Sequence, residues 1–80
     1  MNMIRLQLIY KEDLIKEPII CMVCKKFDIV LNIRRATVTK DTGILTVEID
    51  GEEEEIEKVI NFLKEKGIEV QPVEGHIFRE

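Results

Sequence analysis

The sequence has few of the serine, cysteine and histidine residues from which many enzymes build nucleophilic sites. It contains no serine and no tryptophan, with one histidine and two cysteines. Without serine, no serine–histidine–carboxylate triad can form, and nothing in the spacing of the many carboxylates selects a pair for acid–base hydrolysis. We therefore expect a protein that is not an enzyme.

Long apolar runs and a basic surface are also missing. No apolar stretch approaches the roughly 18–20 residues that span a bilayer, and Arg5 and Gln7 interrupt the N-terminal segment, unlike an export signal. The 16 acidic residues outnumber the 12 basic ones, which argues against a nucleic-acid partner. A chain of 80 residues is expected to form one domain, residues 1–80. These features favour a small cytoplasmic binding or interaction module without a membrane partner.

The hydrophobic period divides the first part of the chain into strands and a helix. Apolar residues alternate from Met3 to Tyr10 and again from Leu45 to Ile49, as in strands with one buried face. The β-branched run 29–39 predicts a further strand, joined to the next by a turn at 40–43. Pro18 suits the first turn of a helix. The apolar stripe of that helix is predicted to be Ile20, Val23, Cys24 and Phe27.

The second half predicts another helix and a last strand. The helix begins among the glutamates at 52–55 and ends before Gly67, with a stripe of Ile56, Val59, Ile60 and Leu63. A short strand follows over 68–73, in which Pro72 lacks an amide hydrogen and therefore indicates a sheet edge. Residues 74–80 are expected to form a loose tail.

The order β-α-β-β-α-β predicts a ferredoxin-like α+β sandwich. In this fold an antiparallel four-stranded sheet of order 4-1-3-2 carries both helices on one face. The predicted core face of the sheet is aliphatic and consists of Ile4, Leu6, Leu8, Leu45, Val47, Ile49 and Val70.

The two cysteines, Cys21 and Cys24, have two interpretations. Cys24 falls on the predicted apolar stripe, which favours burial as a small hydrophobic residue. The alternative is a redox pair or half of a zinc site. Zinc would need two more ligands, and beside carboxylates only His76 offers one, so we expect no metal site. The glutamates at 52–55 point in different directions at a helix start, which favours interaction with the helix dipole over a calcium site.

Asn32 interrupts the apolar run 29–33. Its amide offers donors and an acceptor for the head group of an amino acid. The alternation of a half-exposed strand also explains a polar residue there, and spacing alone favours that simpler interpretation.

From Arg5 to Val73 the sequence resembles the NIL domain family, which is named for an Asn-Ile-Leu signature. The resemblance is densest at Glu17–Ile20, Phe27, Asn32–Ile33, Gly51 with the acidic run after it, Ile56–Lys58 and Leu63–Val70. The family consists of small ferredoxin-like domains at the C-terminus of the ATPase subunits of bacterial methionine importers. Such domains also occur alone or fused to iron–sulfur segments, in proteins linked to sulfur amino-acid metabolism. The chain has neither a phosphate-binding glycine loop nor a ferredoxin cysteine quartet, and we expect it to stand alone.

The resemblance implies that two such domains pair and bind methionine near their contact, restraining transport when methionine is abundant. Asn32 and Ile33 match the first two signature positions, and Arg34 stands where the family usually has leucine. These three residues are the predicted ligand-binding residues. Cys21 and Cys24 align with small residues of the relatives, which supports packing.

We therefore expect a homodimeric regulatory domain that binds methionine or a related sulfur compound and needs no cofactor. The alternative is a ligand-independent adaptor that docks by its sheet edge onto a partner enzyme of sulfur amino-acid metabolism. In that case Arg34 and Arg35 would meet an acidic partner surface.

Overall fold

A computed structural model describes the backbone of residues 2–79 and the side chains of residues 2–11 and 13–73. Within this part of the chain the elements are strand β1 (Asn2–Lys11), a 3-10 turn (Glu12–Leu14), helix α1 (Ile19–Lys26), strand β2 (Ile29–Val38), strand β3 (Thr42–Gly51), helix α2 (Glu53–Glu65) and strand β4 (Glu69–Arg79). Neither helix of residues 2–79 is long and apolar enough to cross a membrane.

The four strands of the described backbone form one antiparallel sheet in the order β2-β3-β1-β4. This is the predicted order read from the opposite edge. Leu6 lies opposite Val47 and Leu8 lies opposite Leu45, so the apolar positions of the two central strands share a face. The predicted α+β fold is confirmed, with β2 and β4 as its edge strands.

The core lies between one face of this sheet and the two helices. Among the predicted core residues, Leu6, Leu8, Val47 and Ile49 are buried, whereas Ile4, Leu45 and Val70 are partly buried against them. The buried helix residues that pack on them are Ile19, Val23, Ile56, Val59, Phe62 and Leu63. The other face of the sheet, which we call the open face, carries polar residues at alternate positions: Arg5, Gln7, Thr46 and Glu48.

The end of α2 follows the Schellman arrangement that Gly67 predicts. Gly67 has a φ of 90°, in the left-handed region. Its N–H donates to the carbonyl of Lys64 at 3.0 Å, and the N–H of Ile68 donates to the carbonyl of Leu63 at 3.0 Å. Ile68 is then buried beside Leu63, so the chain leaves the helix directly into the core and enters β4.

Helix α1 differs from its predicted packing. Its buried residues are Ile19 and Val23, and both cysteines are exposed. At about 100° per residue, Cys24 lies about 140° around the helix axis from Ile19. The side of the helix that contacts the sheet contains Ile19 and Val23. Cys24 lies outside this contacting side. The prediction that Cys24 is a buried packing residue is wrong.

Strand β4 extends further than predicted. The sequence pattern predicts its end at Val73, whereas the backbone continues as a strand to Arg79. The pairing with β1 shifts register between Ile4 and Leu6, and the second part of β4 pairs with the start of β1. This extension gives the first residues of β1 a hydrogen-bonding partner, because β3 covers only the other side of that strand. His76 lies in this segment, and its side chain is outside the described residues.

Candidate functional site

The predicted ligand-binding residues lie in the middle of β2, at one edge of the sheet. Asn32 is exposed and lies opposite Glu48, on the open face. Ile33 lies opposite Val47, and 48% of its surface is exposed on the helix side of the sheet. The structure therefore places these two signature residues at the same point of the edge but on opposite faces.

A β-bulge at Arg34 changes the alternation of this strand. Ile33 pairs with Val47 and Arg35 pairs with the next residue of β3, Thr46, so Arg34 is the additional residue. Without the bulge, Arg35 would lie on the helix side of the sheet. With it, Arg35 shares the open face with Thr46, and Arg34 also reaches that face. No local sequence pattern predicts this bulge, because its origin lies in the pairing with β3.

A carboxylate links the candidate site to the centre of the sheet. Glu48 accepts two hydrogen bonds from the guanidinium of Arg5, one of them from Nε at 3.0 Å. Its other oxygen, Oε1, lies 3.9 Å from Nη1 of Arg34. The Glu48 side chain is 12% exposed, whereas that of Arg34 is 56% exposed. Arg5 is thus tightly paired with Glu48, and Arg34 is the outer, loosely held member of the group.

The two edges of the sheet differ in their capacity to pair with another strand. β4 carries Pro72, which has no amide hydrogen to donate to a further strand. β2 contains no proline. Its side chains are mostly exposed, including large apolar ones: Val30 at 63%, Val38 at 62% and Ile33 at 48%. The edge formed by β2 therefore offers unpaired backbone groups together with apolar surface.

Three grooves are described in the structure, and their linings do not include residues 32–34. One lies between the start of α1 and the tip of the hairpin, with a volume of about 200 Å³. Another, of about 220 Å³, lies between α2 and the start of β1, and the third, of about 240 Å³, lies at the start of β2. Among the described residues Asn32 is exposed at the open β2 edge, where a second surface laid against the strand would enclose it.

The acidic start of α2 has a structural role. Oε2 of Glu55 accepts a hydrogen bond from the backbone N–H of Asp28 at 2.9 Å, which ties the start of α2 to the start of β2. This hydrogen bond, with a further contribution from Lys58, holds the pKa of Glu55 below its ordinary value. Among the described residues, no group of three or more His, Cys, Asp or Glu side chains could hold a metal ion.

The chain folds as a small α+β domain whose β2 edge exposes both polar and apolar side chains. A family model, the NIL domain, matches residues 4–72. The chain belongs to the NIL domain family. In methionine-import ATPases this is a regulatory domain and not the catalytic one.

Curated relatives agree with this assignment, and a solved structure shares the fold. The chain is 31% identical over 71 residues to the methionine import ATP-binding protein MetN of Bacillus subtilis, covering 84% of this chain and 21% of that protein. It is also 31% identical over 61 residues to MetN 1 of Bacillus licheniformis, covering 71% of this chain and 18% of that protein. The chain thus spans about a fifth of the length of these relatives. The C-terminal domain of an ABC transporter ATP-binding protein from Enterococcus faecalis has the same fold, with a TM-score of 0.77 and 19% identity over 91% of this chain and 86% of that one.

Proposed function

We propose that this chain is a regulatory domain that pairs through its β2 edge and binds methionine or a related sulfur amino acid at the contact. The observation that carries the proposal is the juxtaposition, on a proline-free edge strand, of an exposed amide, an exposed aliphatic residue and an exposed guanidinium: Asn32, Ile33 and Arg34. Membership of the NIL family, and the similarity to methionine import ATP-binding proteins, support the choice of ligand.

The open face beside Asn32 has the chemistry that an amino acid requires. Arg34 lies far enough from Glu48, at 3.9 Å, to turn toward an incoming α-carboxylate and form a charge-assisted hydrogen bond. The amide of Asn32 can hydrogen-bond to either end of the head group. Val30, two residues earlier on the same face, supplies an apolar wall for a thioether side chain.

Pairing of two chains would supply the second surface that this site needs. Two β2 edges can continue their sheets by backbone hydrogen bonds, and Ile33 of each chain would then lose its exposure on the helix side. The same pairing brings Arg34 and Arg35 of both chains near one another. Ligand carboxylates would offset that positive charge, so ligand binding and pairing should strengthen each other.

A thermal-shift and mass measurement tests the proposal. At a hundredfold excess over its dissociation constant, a ligand stabilises by about 2.7 kcal/mol, which in a domain of this size raises Tm by roughly 10 °C or more. We expect this rise with methionine, homocysteine or S-adenosylmethionine but not with glutamate or lysine. Light scattering should show a larger dimer fraction in the presence of the active compound.

The variants Asn32→Ala and Asn61→Ala form a matched pair, because both remove an exposed asparagine amide. Only the change on β2 should abolish the ligand-dependent rise, and the unliganded Tm should be retained in both. A wild-type chain whose Tm is unchanged by all three sulfur compounds would refute the ligand assignment. An equal loss of the ligand-dependent rise in Tm in the two variants would also refute it.

A second candidate function is supported by Arg34 and Arg35, which are both exposed beside the proline-free edge. A ligand-independent adaptor could use them to contact an acidic surface of an enzyme of sulfur metabolism. In that case Arg35→Glu should abolish binding of a purified partner, and amino acids should have no effect on that binding.

A further inference from the structure

The two cysteine thiols lie together on the outer side of α1. Cys21 and Cys24 are both exposed and both within the helix, which runs from Ile19 to Lys26. Met22, between them, packs against the core. We infer that Cys21 and Cys24 form a two-thiolate binding site for a soft monovalent metal ion, Cu(I).

Helix geometry brings the two side chains to the same patch of surface. Residues three apart in an α-helix are neighbours, with Cβ atoms about 5–6 Å apart. A disulfide requires Cβ atoms about 3.5–4.5 Å apart, so a direct sulfur–sulfur bond would distort the helix. A metal ion placed between the two sulfurs accommodates the longer separation and leaves the helix intact.

The number and type of ligands select the metal. Thiolates are soft ligands that favour Cu(I), zinc and iron–sulfur clusters. A structural zinc site takes four ligands, whereas the described residues bring no third His, Cys, Asp or Glu to this pair. Two thiolates alone therefore suit an ion that accepts two-coordinate binding. On binding, each thiol releases its proton, so that Cu⁺ and two thiols give a bis-thiolate complex of charge −1 and two protons.

The surroundings of the two thiols favour that charge. Lys25 and Lys26 follow Cys24 directly in the last turn of the helix. Lys25 lies four residues after Cys21, on the same side of the helix, whereas Lys26 turns toward the core, with Nζ 4.8 Å from the ring centroid of Phe62. Cys21 also borders the groove of about 200 Å³, whose wall includes the apolar residues Ile20 and Val38. This apolar wall lies on the Cys21 side of the site, and the ammonium of Lys25 can offset the extra negative charge.

Competition with a chromophoric chelator tests the site. The full chain is titrated without oxygen against the Cu(I) complex of bicinchoninate in the presence of ascorbate. We expect the wild type to withdraw about one copper per chain, because one pair of thiols makes one site. X-ray absorption should show copper bound by two sulfurs without nitrogen. Cys21→Ser and Cys24→Ser should each weaken binding more than about tenfold, while far-UV circular dichroism and Tm stay as in the wild type, since both residues are exposed.

A control variant separates the paired site from the mere presence of thiols. Cys24→Ser combined with Asn61→Cys retains two exposed thiol positions but moves one to α2. It should bind copper as weakly as the single variants. Equal binding by this control and the wild type would overturn the proposal. Failure of the wild type to withdraw copper, or half an equivalent of copper bound between two chains, would overturn it as well.

Discussion

Arg5 and Glu48 lie directly opposite each other on β1 and β3 and join the two central strands by two hydrogen bonds on the open face. Both side chains are largely covered, at 25% and 12% exposure. An ion pair with this geometry contributes more to stability than a typical surface pair, because it is less screened by solvent. It also sets the position of the carboxylate next to Asn32 and Arg34.

Replacing Glu48 tests this contribution. Glu48→Gln should lower the free energy of unfolding by about 1–2 kcal/mol, because the Arg5 guanidinium loses its charged acceptor. Arg34→Gln should cost less than about 0.5 kcal/mol, since Arg34 is 56% exposed and 3.9 Å from the carboxylate. Urea denaturation at neutral pH measures both. Equal effects of the two substitutions would contradict the unequal pairing.

Gly51 is required where β3 passes close to the first residue of β2. A Cβ at Gly51 would lie 2.7 Å from Cγ2 of Ile29, whereas a Cβ at Gly43 would have its nearest neighbour, in Tyr10, at 3.5 Å. Gly51→Ala should therefore destabilise by about 1–3 kcal/mol, and Gly43→Ala should change stability by less than about 0.5 kcal/mol. Neither glycine has a positive φ, so the comparison isolates the steric effect. Chemical denaturation of both variants checks it, and addition of Ile29→Ala should recover part of the loss in Gly51→Ala.

Gly67 is required for a different reason, its backbone conformation. With φ at 90°, an alanine there would place Cβ against its own backbone, although its nearest neighbour in space, Leu14, is at an ordinary 3.4 Å. We expect Gly67→Ala to cost about 1–2 kcal/mol. Gly67→Asn should cost less, because asparagine tolerates this region better. Thermal unfolding of the two variants distinguishes this from a steric effect, which would penalise asparagine more.

Tyr10 makes the free energy of unfolding fall at alkaline pH. Its hydroxyl is buried and has no hydrogen-bond partner among the described residues, and burial raises the pKa of Tyr10 to about 12. The unfolded state, with the ordinary pKa of 10.0, loses this proton first. The free energy of unfolding therefore keeps its full value below pH 10 and decreases as the pH rises toward 12.

Tyr10→Phe removes this titration. Below pH 9 the variant should match or exceed the wild type in stability, since no hydrogen bond is lost. At pH 11 it should be the more stable protein by at least about 1 kcal/mol, because only the wild type is destabilised by ionisation of the unfolded state. Urea denaturation at the two pH values measures the difference. A constant difference between the proteins across this range would show that the hydroxyl is not desolvated in the folded state.

Much of the fold and part of the site could be predicted from local patterns. Alternation at Leu6, Leu8, Val47 and Ile49 identified the buried face of the central strands, because a strand repeats every two residues. Gly67 marked the end of α2 through its own conformational freedom. The location of Asn32 on a strand also followed from its neighbours, and the structure adds that this strand is an edge. Its role in ligand binding stays a prediction.

Sequence by itself determined where most of the strands and helices lie, since hydrophobic periods and turn residues act over short distances. The strand order followed from the element order β-α-β-β-α-β and the rules of chain connectivity. Only the tertiary structure decided the bulge at Arg34, the extension of β4 to Arg79 and the exposure of Cys21 and Cys24. Each of these depends on a distant partner: β3 for the bulge, the start of β1 for β4, and the sheet surface for the rotation of α1. Contacts between segments far apart in the chain produce no repeating hydrophobic pattern in the sequence of either segment, so local patterns cannot predict them.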